Sequence, residues 1–171
     1  MIRRARLEDA LAIQRIAVER TVSRDSPVSG LVEYPIRSVE WYADKIKSPY
    51  FLVDEDEGNI CGFSSAYDSY FLLEGGRFAD DEIVTWLLNK LDEFVYWDQL
   101  VVDKGWEKKG VGMKLAERCL SSTKSHKLVG VVGHKPIFNE SSVRLISKLG
   151  LSLEEYMTAY GGLVFGVYWR R

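Results

Sequence analysis

The stretch EKKGVG, Glu107 to Gly112, sets two glycines behind two lysines, between an apolar run and a helical pattern. A loop that leaves a strand and opens a helix presents unpaired backbone N–H groups and the positive end of the helix dipole. Glycine lets the backbone approach a bulky anion and adopt positive φ. The chemistry expected is phosphate or pyrophosphate binding, with Lys108 and Lys109 adding charge at the rim. Just upstream, among Tyr96, Trp97 and Leu100, stands a carboxylate, Asp98. Burial raises a carboxyl pKa, which suits a general base. The plainer role for such an acid is a hydrogen bond or salt bridge at a strand edge. Gln99, expected on the opposite side of the strand, has no basic group but suits orienting a water.

Two familiar phosphate loops do not fit. In GWEKKGVG the glycines Gly105 and Gly110 have the spacing of G-x-x-x-x-G-K-[ST], but Val111 and Gly112 stand where Lys and Ser/Thr belong. A dinucleotide fingerprint needs G-x-G-x-x-G and an acid at the end of the next strand. Here Leu115 takes the third glycine position and the next strand ends VVGH.

A third pattern fits better. LVVDKGWEKKGVG resembles L-x-V-x-P-x-x-[QR]-x-x-G-x-[GA], the core motif of the GNAT acetyltransferase superfamily, at Leu100, Val102, Gly110 and Gly112. Downstream, NESSVRLISKLGL resembles that family's N-x-x-[AS]-[IV]-x-L-Y-x-K-x-G-F at Asn139, Ser142, Val143, Leu145, Lys148 and Gly150. The opening IRRARLEDALAI is similar to the family's first strand and helix, and residues 68–93 have no obvious counterpart. The resemblance implies an N-acetyltransferase that uses acetyl-CoA as cosubstrate on a primary amine, of a small molecule or a protein, by direct attack on the thioester. It implies that the loop backbone (Lys108, Lys109, Gly110, Val111, Gly112, Met113) holds the pyrophosphate. Leu100, Val101 and Val102 would then pair with the pantetheine arm, and Asn139 and Ser142 would lie near the cofactor. Several positions depart from the pattern: Glu107 replaces Gln or Arg, Lys104 replaces a proline, and Ile146 replaces a tyrosine used as general acid. Leu151 replaces a usual Phe. An acid beside a pyrophosphate is unfavourable unless it points away, and with Ile146 unable to donate, Tyr156 and Tyr160 are nominal replacements. The acceptor pocket is expected near residues 22–37 and 67–78, with Glu33, Tyr34 and Asp68 as substrate contacts. Arg144 and Lys148 read as a solvated helix face within reach of a CoA phosphate. A non-catalytic acyl-CoA sensor on the same fold, or another nucleotide-phosphate binder, are the rival readings.

Composition frames this. The chain has 171 residues, 46% hydrophobic, with net charge -2. One globular domain over residues 1–171 is expected, with no pull toward nucleic acid or anionic membrane. No apolar run approaches the roughly 18 residues of a membrane span, and no signal peptide is read, so a cytoplasmic protein is expected. Cys61 and Cys119 read as buried thiols without metal-ligand spacing, and no metal is expected.

The elements that must position these residues read as follows. Residues 1–6 form a strand, and 8–22 a helix with Ala10, Ile13, Ile16 and Ala17 on one face. Residues 39–47 form a second helix capped by Ser38, and 51–67 a hairpin around DEDEGN. Residues 68–78 are of unclear structure. Residues 80–92 form an extra helix with the stripe Val84, Leu87, Leu88, Leu91, read as core, lid or dimer contact. A strand at 94–102, a helix at 110–123, a strand at 127–134, a helix at 139–149 and a hairpin over 152–169 follow. The class is α/β (α+β), a mixed sheet with helices on its faces; the resemblance makes it GNAT-like and mostly antiparallel. The final hairpin and the extra helix are the candidates for a homodimer contact.

Overall fold

The run FVYWDQLVV forms β4 (Phe94–Val102), because aromatic and β-branched side chains suit a pleated, buried surface. The structure, a computed structural model, describes residues 1–22 and 36–170. Around β4 lie β1 (Ile2–Arg4), β2 (Leu52–Asp56), β3 (Asn59–Asp68), β5 (Lys127–Lys135), β6 (Ser152–Ala159) and β7 (Leu163–Trp169). They form one sheet in the order β1-β2-β3-β4-β5-β7-β6. Among the described residues, β4 and β5 pair in parallel and the other neighbouring strands pair antiparallel. The DEDEGN turn closes on Glu57 and Gly58, both at positive φ, which is what a two-residue hairpin between right-twisted strands requires.

Helices cover both faces. On one side lie α1 (Ala10–Arg20), α2 (Val39–Lys45), α3 (Ser69–Leu73) and α4 (Glu82–Lys90), on the other α5 (Val111–Ser122) and α6 (Glu140–Lys148). Strand alternation feeds two cores. Phe94 and Tyr96 of β4 join Ile13, Ile16, Tyr42 and Leu87, whereas Val95 and Trp97 join Leu115, Cys119 and Ile146. Leu115 and Leu87 are fully buried, each worth roughly 2 kcal/mol of transfer free energy.

Two expectations about local structure change. The first helix begins as a 3-10 turn at Leu7–Asp9 and becomes α-helical only at Ala10. The cause is Asp9, which accepts from Arg3 Nη1 at 2.7 Å and Nη2 at 2.9 Å and from the Arg6 N–H, and so serves β1 rather than the helix dipole. Residues 68–78, left open in sequence, hold α3 and a 3-10 turn. The extra helix packs Ile83, Val84 and Leu87 into the core, with Leu88 and Leu91 partly buried beside them. Glu33 and Tyr34 lie outside the described residues.

Candidate active site

β4 and β5 stay paired only from Phe94↔Lys127 to Trp97↔Gly130. Beyond that point β5 continues on β7 and β4 on β3, through Val131↔Val167 and Val101↔Phe63. The two strands part, and a cavity of about 670 Å³ occupies the gap. The Asp103 N–H donates to the Cys61 carbonyl at 3.0 Å and so faces β3. Strand alternation then turns the peptide groups of Leu100 and Val102 toward the cleft. Leu100, Val101 and Val102 all line it.

One mouth of the cleft is the glycine loop. Lys108 and Gly110 both take positive φ, 60° and 81°, and Gly110 stands at the N-cap of α5 without any side-chain cap. By contrast α2, α3, α4 and α6 are capped by Ser38, Asp68, Asp81 and Asn139. The first-turn N–H groups of α5, from Val111, Gly112 and Met113, are therefore left as donors, and Val111 and Gly112 line the cavity with Lys108 and Gly110. Two loop side chains lie apart from the lining. Lys109 is not in the lining; its Nζ sits 4.4 Å over the Trp106 ring. The Met113 side chain also stays out of the lining. Glu107 does face the cavity, but Arg20 at the end of α1 meets it, Nη1 to Oε1 at 2.5 Å. The acid is neutralised from a distant helix rather than turned away.

The middle of the cleft is Asp98. The pairing of β3 with β4 slips between Ser65 and Ala66, opposite Gln99 and Trp97, so Asp98 is the extra residue of a β-bulge. A bulge re-aims side chains and shifts alternation by one. The consequence is visible in partners. The Tyr96 hydroxyl donates to Asp98 Oδ1 at 3.2 Å, and the Tyr42 hydroxyl to Gln99 Oε1 at 3.3 Å. Both tyrosines belong to the α1–α4 side of the sheet. Gln99 thus shares a face with Asp98, correcting the opposite-side assignment that simple alternation implies. Burial, then the neighbouring Asp98 and Asp81, push the Tyr96 hydroxyl well above its ordinary pKa.

The far mouth is aromatic and acidic: Trp41, Phe78, Asp81, Tyr96, Tyr160 and Phe165. Tyr160 opens the β6–β7 turn at φ 51°, with Gly161 and Gly162 following at positive φ. Its hydroxyl donates to Asp81 Oδ1 at 2.7 Å and its N–H to Glu82 Oε2 at 2.8 Å. Burial, then Asp81, hold the Tyr160 pKa far above normal. The N-terminus of the extra helix is thereby a wall of the cleft.

The remaining candidates are placed as follows. Asn139 caps α6, accepting from the Ser142 N–H at 3.1 Å, and both residues line the cavity with Ser141. Ile146 is core-packed at 4% exposure. Tyr156 lies outside the cleft, half exposed against His134. Asp68 does not line the cavity; its carboxylate caps α3 by accepting from the Phe71 N–H at 2.7 Å. Arg144 pairs with Glu140 at 2.6 Å on an exposed face. Both cysteines are buried, and burial pushes the Cys119 thiol up to about 12. Among the described residues no group of His, Cys, Asp or Glu is placed to hold a metal. Among them, too, no helix is long and apolar enough to cross a membrane.

A sequence model described as the acetyltransferase (GNAT) family matches residues 15–151. The chain belongs to the GNAT acetyltransferase family. Solved structures share this acetyltransferase's fold along nearly its whole length. An N-acetyltransferase from Staphylococcus aureus superposes with TM-score 0.68 at 18% identity, covering 99% of each chain. Ard1 from Thermoplasma volcanium gives 0.70 at 18% identity, covering 99% of this chain and 95% of its own. A ribosomal-protein-alanine N-acetyltransferase from Brucella melitensis gives 0.66 at 19%, covering 99% and 98%. No curated protein matches the acetyltransferase in a sequence comparison. Its cleft residues that sequence reasoning missed include Arg20, Trp41, Asp81 and Phe165. They are far apart in the chain and carry no motif; for Asp81, its place just before a helical pattern signals only a cap.

Proposed function

We propose that this acetyltransferase moves the acetyl group of acetyl-CoA to the primary amine of an acceptor, within a single domain spanning residues 1–171. The observation that carries the reading is the uncapped N-terminus of α5, opening into the same cavity as the unpaired edge of β4. The first-turn N–H groups of α5 and Lys108 suit a pyrophosphate, and the peptide groups of Leu100 and Val102 suit an amide-bearing arm. Arg20 removes the repulsion Glu107 would otherwise exert.

The thioester supplies an electrophilic carbonyl carbon. Backbone N–H groups at the parting of β4 and β5 polarise its oxygen. Asp98 takes one proton from the acceptor's ammonium, directly or through a water, leaving the neutral amine that attacks, while Tyr96 holds its carboxylate in place; the second nitrogen proton passes to solvent as the amide forms. The new carbon–nitrogen bond forms, the carbon–sulfur bond breaks, and CoA leaves as thiol. Ile146 has no proton to give, and the Tyr160 proton is committed to Asp81, so solvent protonates the sulfur.

Calorimetric titration with acetyl-CoA tests the reading, on the wild type and on Gly112→Glu. Gly112 sits in the first turn of α5, where a glutamate suits the helix dipole. A Cβ there would stand 3.5 Å from Val102 Cγ2, an ordinary contact. Micromolar binding by the wild type, lost in a variant with unchanged circular dichroism, is expected. No binding by the wild type overturns the proposal.

A further inference from the structure

We propose that the acceptor is a small linear amine carrying a second positive charge, and that Asp81 receives that second charge. This rests on the acetyl-transfer reading above and goes beyond it by naming the substrate class.

Among the described residues, the acceptor end of the cleft is lined by Trp41, Phe78, Tyr160 and Phe165 and by two carboxylates, Asp98 and Asp81. Aromatic faces and carboxylates are the surroundings in which a desolvated ammonium is stabilised. Asp98 stands at the bulge where the strands part, the place of the attacking nitrogen. Asp81 stands at the start of α4 and has no part in that step. It is held rigidly: Oδ1 accepts from the Val84 N–H at 3.0 Å and from the Tyr160 hydroxyl at 2.7 Å. Both bonds end on the same oxygen, and among the described residues no donor meets Oδ2. Two hydrogen-bond donors thus fix one oxygen of the carboxylate and aim the group at the cavity, a preorganised arrangement for a cation. The two carboxylates also lie close enough that both act on the hydroxyls of Tyr96 and Tyr160.

Arg37 also lines the cavity, beside Trp41. The Arg37 guanidinium lies 5.0 Å over the Trp41 ring. An acceptor bearing a carboxylate would use it, which gives the competing specificity a definite partner.

Three acceptors of one chain length separate the cases: 1,4-diaminobutane, butylamine and 4-aminobutanoate, each assayed by CoA release at saturating acetyl-CoA. The diamine is expected to exceed butylamine in kcat/KM by about tenfold, the worth of one charged hydrogen bond. In Asp81→Asn that ratio is expected to fall to near one. Asparagine caps helices as well as aspartate, so α4 and the Tyr160 contact are retained, and the ratio removes any general loss of activity. Equal rates for diamine and monoamine, a preference for 4-aminobutanoate, or a ratio unchanged in Asp81→Asn each overturn the proposal. CoA release with none of the three, by protein that binds acetyl-CoA in calorimetry, overturns it while leaving the acetyl-CoA reading standing. Absence of acetyl-CoA binding overturns both.

Discussion

Arg20 and Glu107 meet at 2.5 Å, joining the last turn of α1 to the loop that opens α5. The family pattern places Gln or Arg at the position of Glu107, so a carboxylate there needs an answer. Its answer comes from elsewhere in the chain, and the pair is neutral as a unit.

The pair predicts a sign reversal between single variants. Arg20→Ala leaves an uncompensated acid beside the anion site and should weaken acetyl-CoA binding about fivefold, ~1 kcal/mol. Glu107→Gln should bind as well as the wild type or better. The double variant should recover most of what Arg20→Ala loses. Titration calorimetry of the four proteins completes the cycle; a double variant as weak as Arg20→Ala would show that Arg20 acts through packing alone.

Asp98 is predicted to matter to rate more than to binding. Asp98→Asn keeps the size of the side chain and an acceptor for the Tyr96 hydroxyl, but cannot take up a proton. kcat should fall about 10²- to 10⁴-fold with acetyl-CoA affinity unchanged. A loss smaller than tenfold would remove Asp98 from the chemistry.

The two glycines of the loop should respond oppositely to alanine. Gly110 sits at φ 81°, so Gly110→Ala should cost about 1–2 kcal/mol of stability. Gly112 lies within α5, with room for a Cβ, so Gly112→Ala should stabilise by roughly 0.5–1 kcal/mol. Urea unfolding monitored by circular dichroism reads both; two destabilised variants would contradict the backbone geometry.

Acid should unfold the protein partly through Asp9. Burial alone would raise its pKa, but the Arg3 guanidinium and the Arg6 N–H outweigh it and hold the carboxyl below its usual value. A depressed carboxyl contributes stability that is complete above the unfolded pKa, about 4, and is lost as pH falls through the folded value. Arg3→Met should therefore cost about 3 kcal/mol at pH 7. That cost should shrink as pH falls below about 4, since the wild type then loses the same interaction. Urea midpoints at several pH values test this; a pH-independent difference would assign the loss to packing.

Much of the fold is legible in sequence because it is local. β4 has the expected bounds, since a run of aromatic and β-branched residues has few other conformations. The hairpin at Glu57 and Gly58 follows from turn chemistry, and α5 and α6 follow from apolar periodicity bounded by Gly110 and Asn139. The glycine loop is legible for the same reason: glycine spacing before a helix states what the backbone there is free to do. Asp98 is legible as a carboxylate in an apolar strand.

The surroundings of these residues are not local, and only the tertiary structure decides them. The bulge at Asp98 comes from the register of β3 against β4, and it turns Gln99 onto the Asp98 face. Sequence alternation carries no record of a pairing slip. The Arg20–Glu107 pair, the Tyr160–Asp81 bond and the aromatic wall of Trp41, Phe78 and Phe165 join segments scattered along the chain. Asp68 and Asp81 look alike in sequence, each an acid before a helix, and both cap. Only the packing of α4 against the β6–β7 turn puts Asp81 on the cleft and leaves Asp68 off it. The sequence determined a glycine loop on a strand–helix unit with an acid nearby. What that acid faces was decided by where β4 and β5 part, because hydrogen-bond pairing between distant strands sets the shape of the gap.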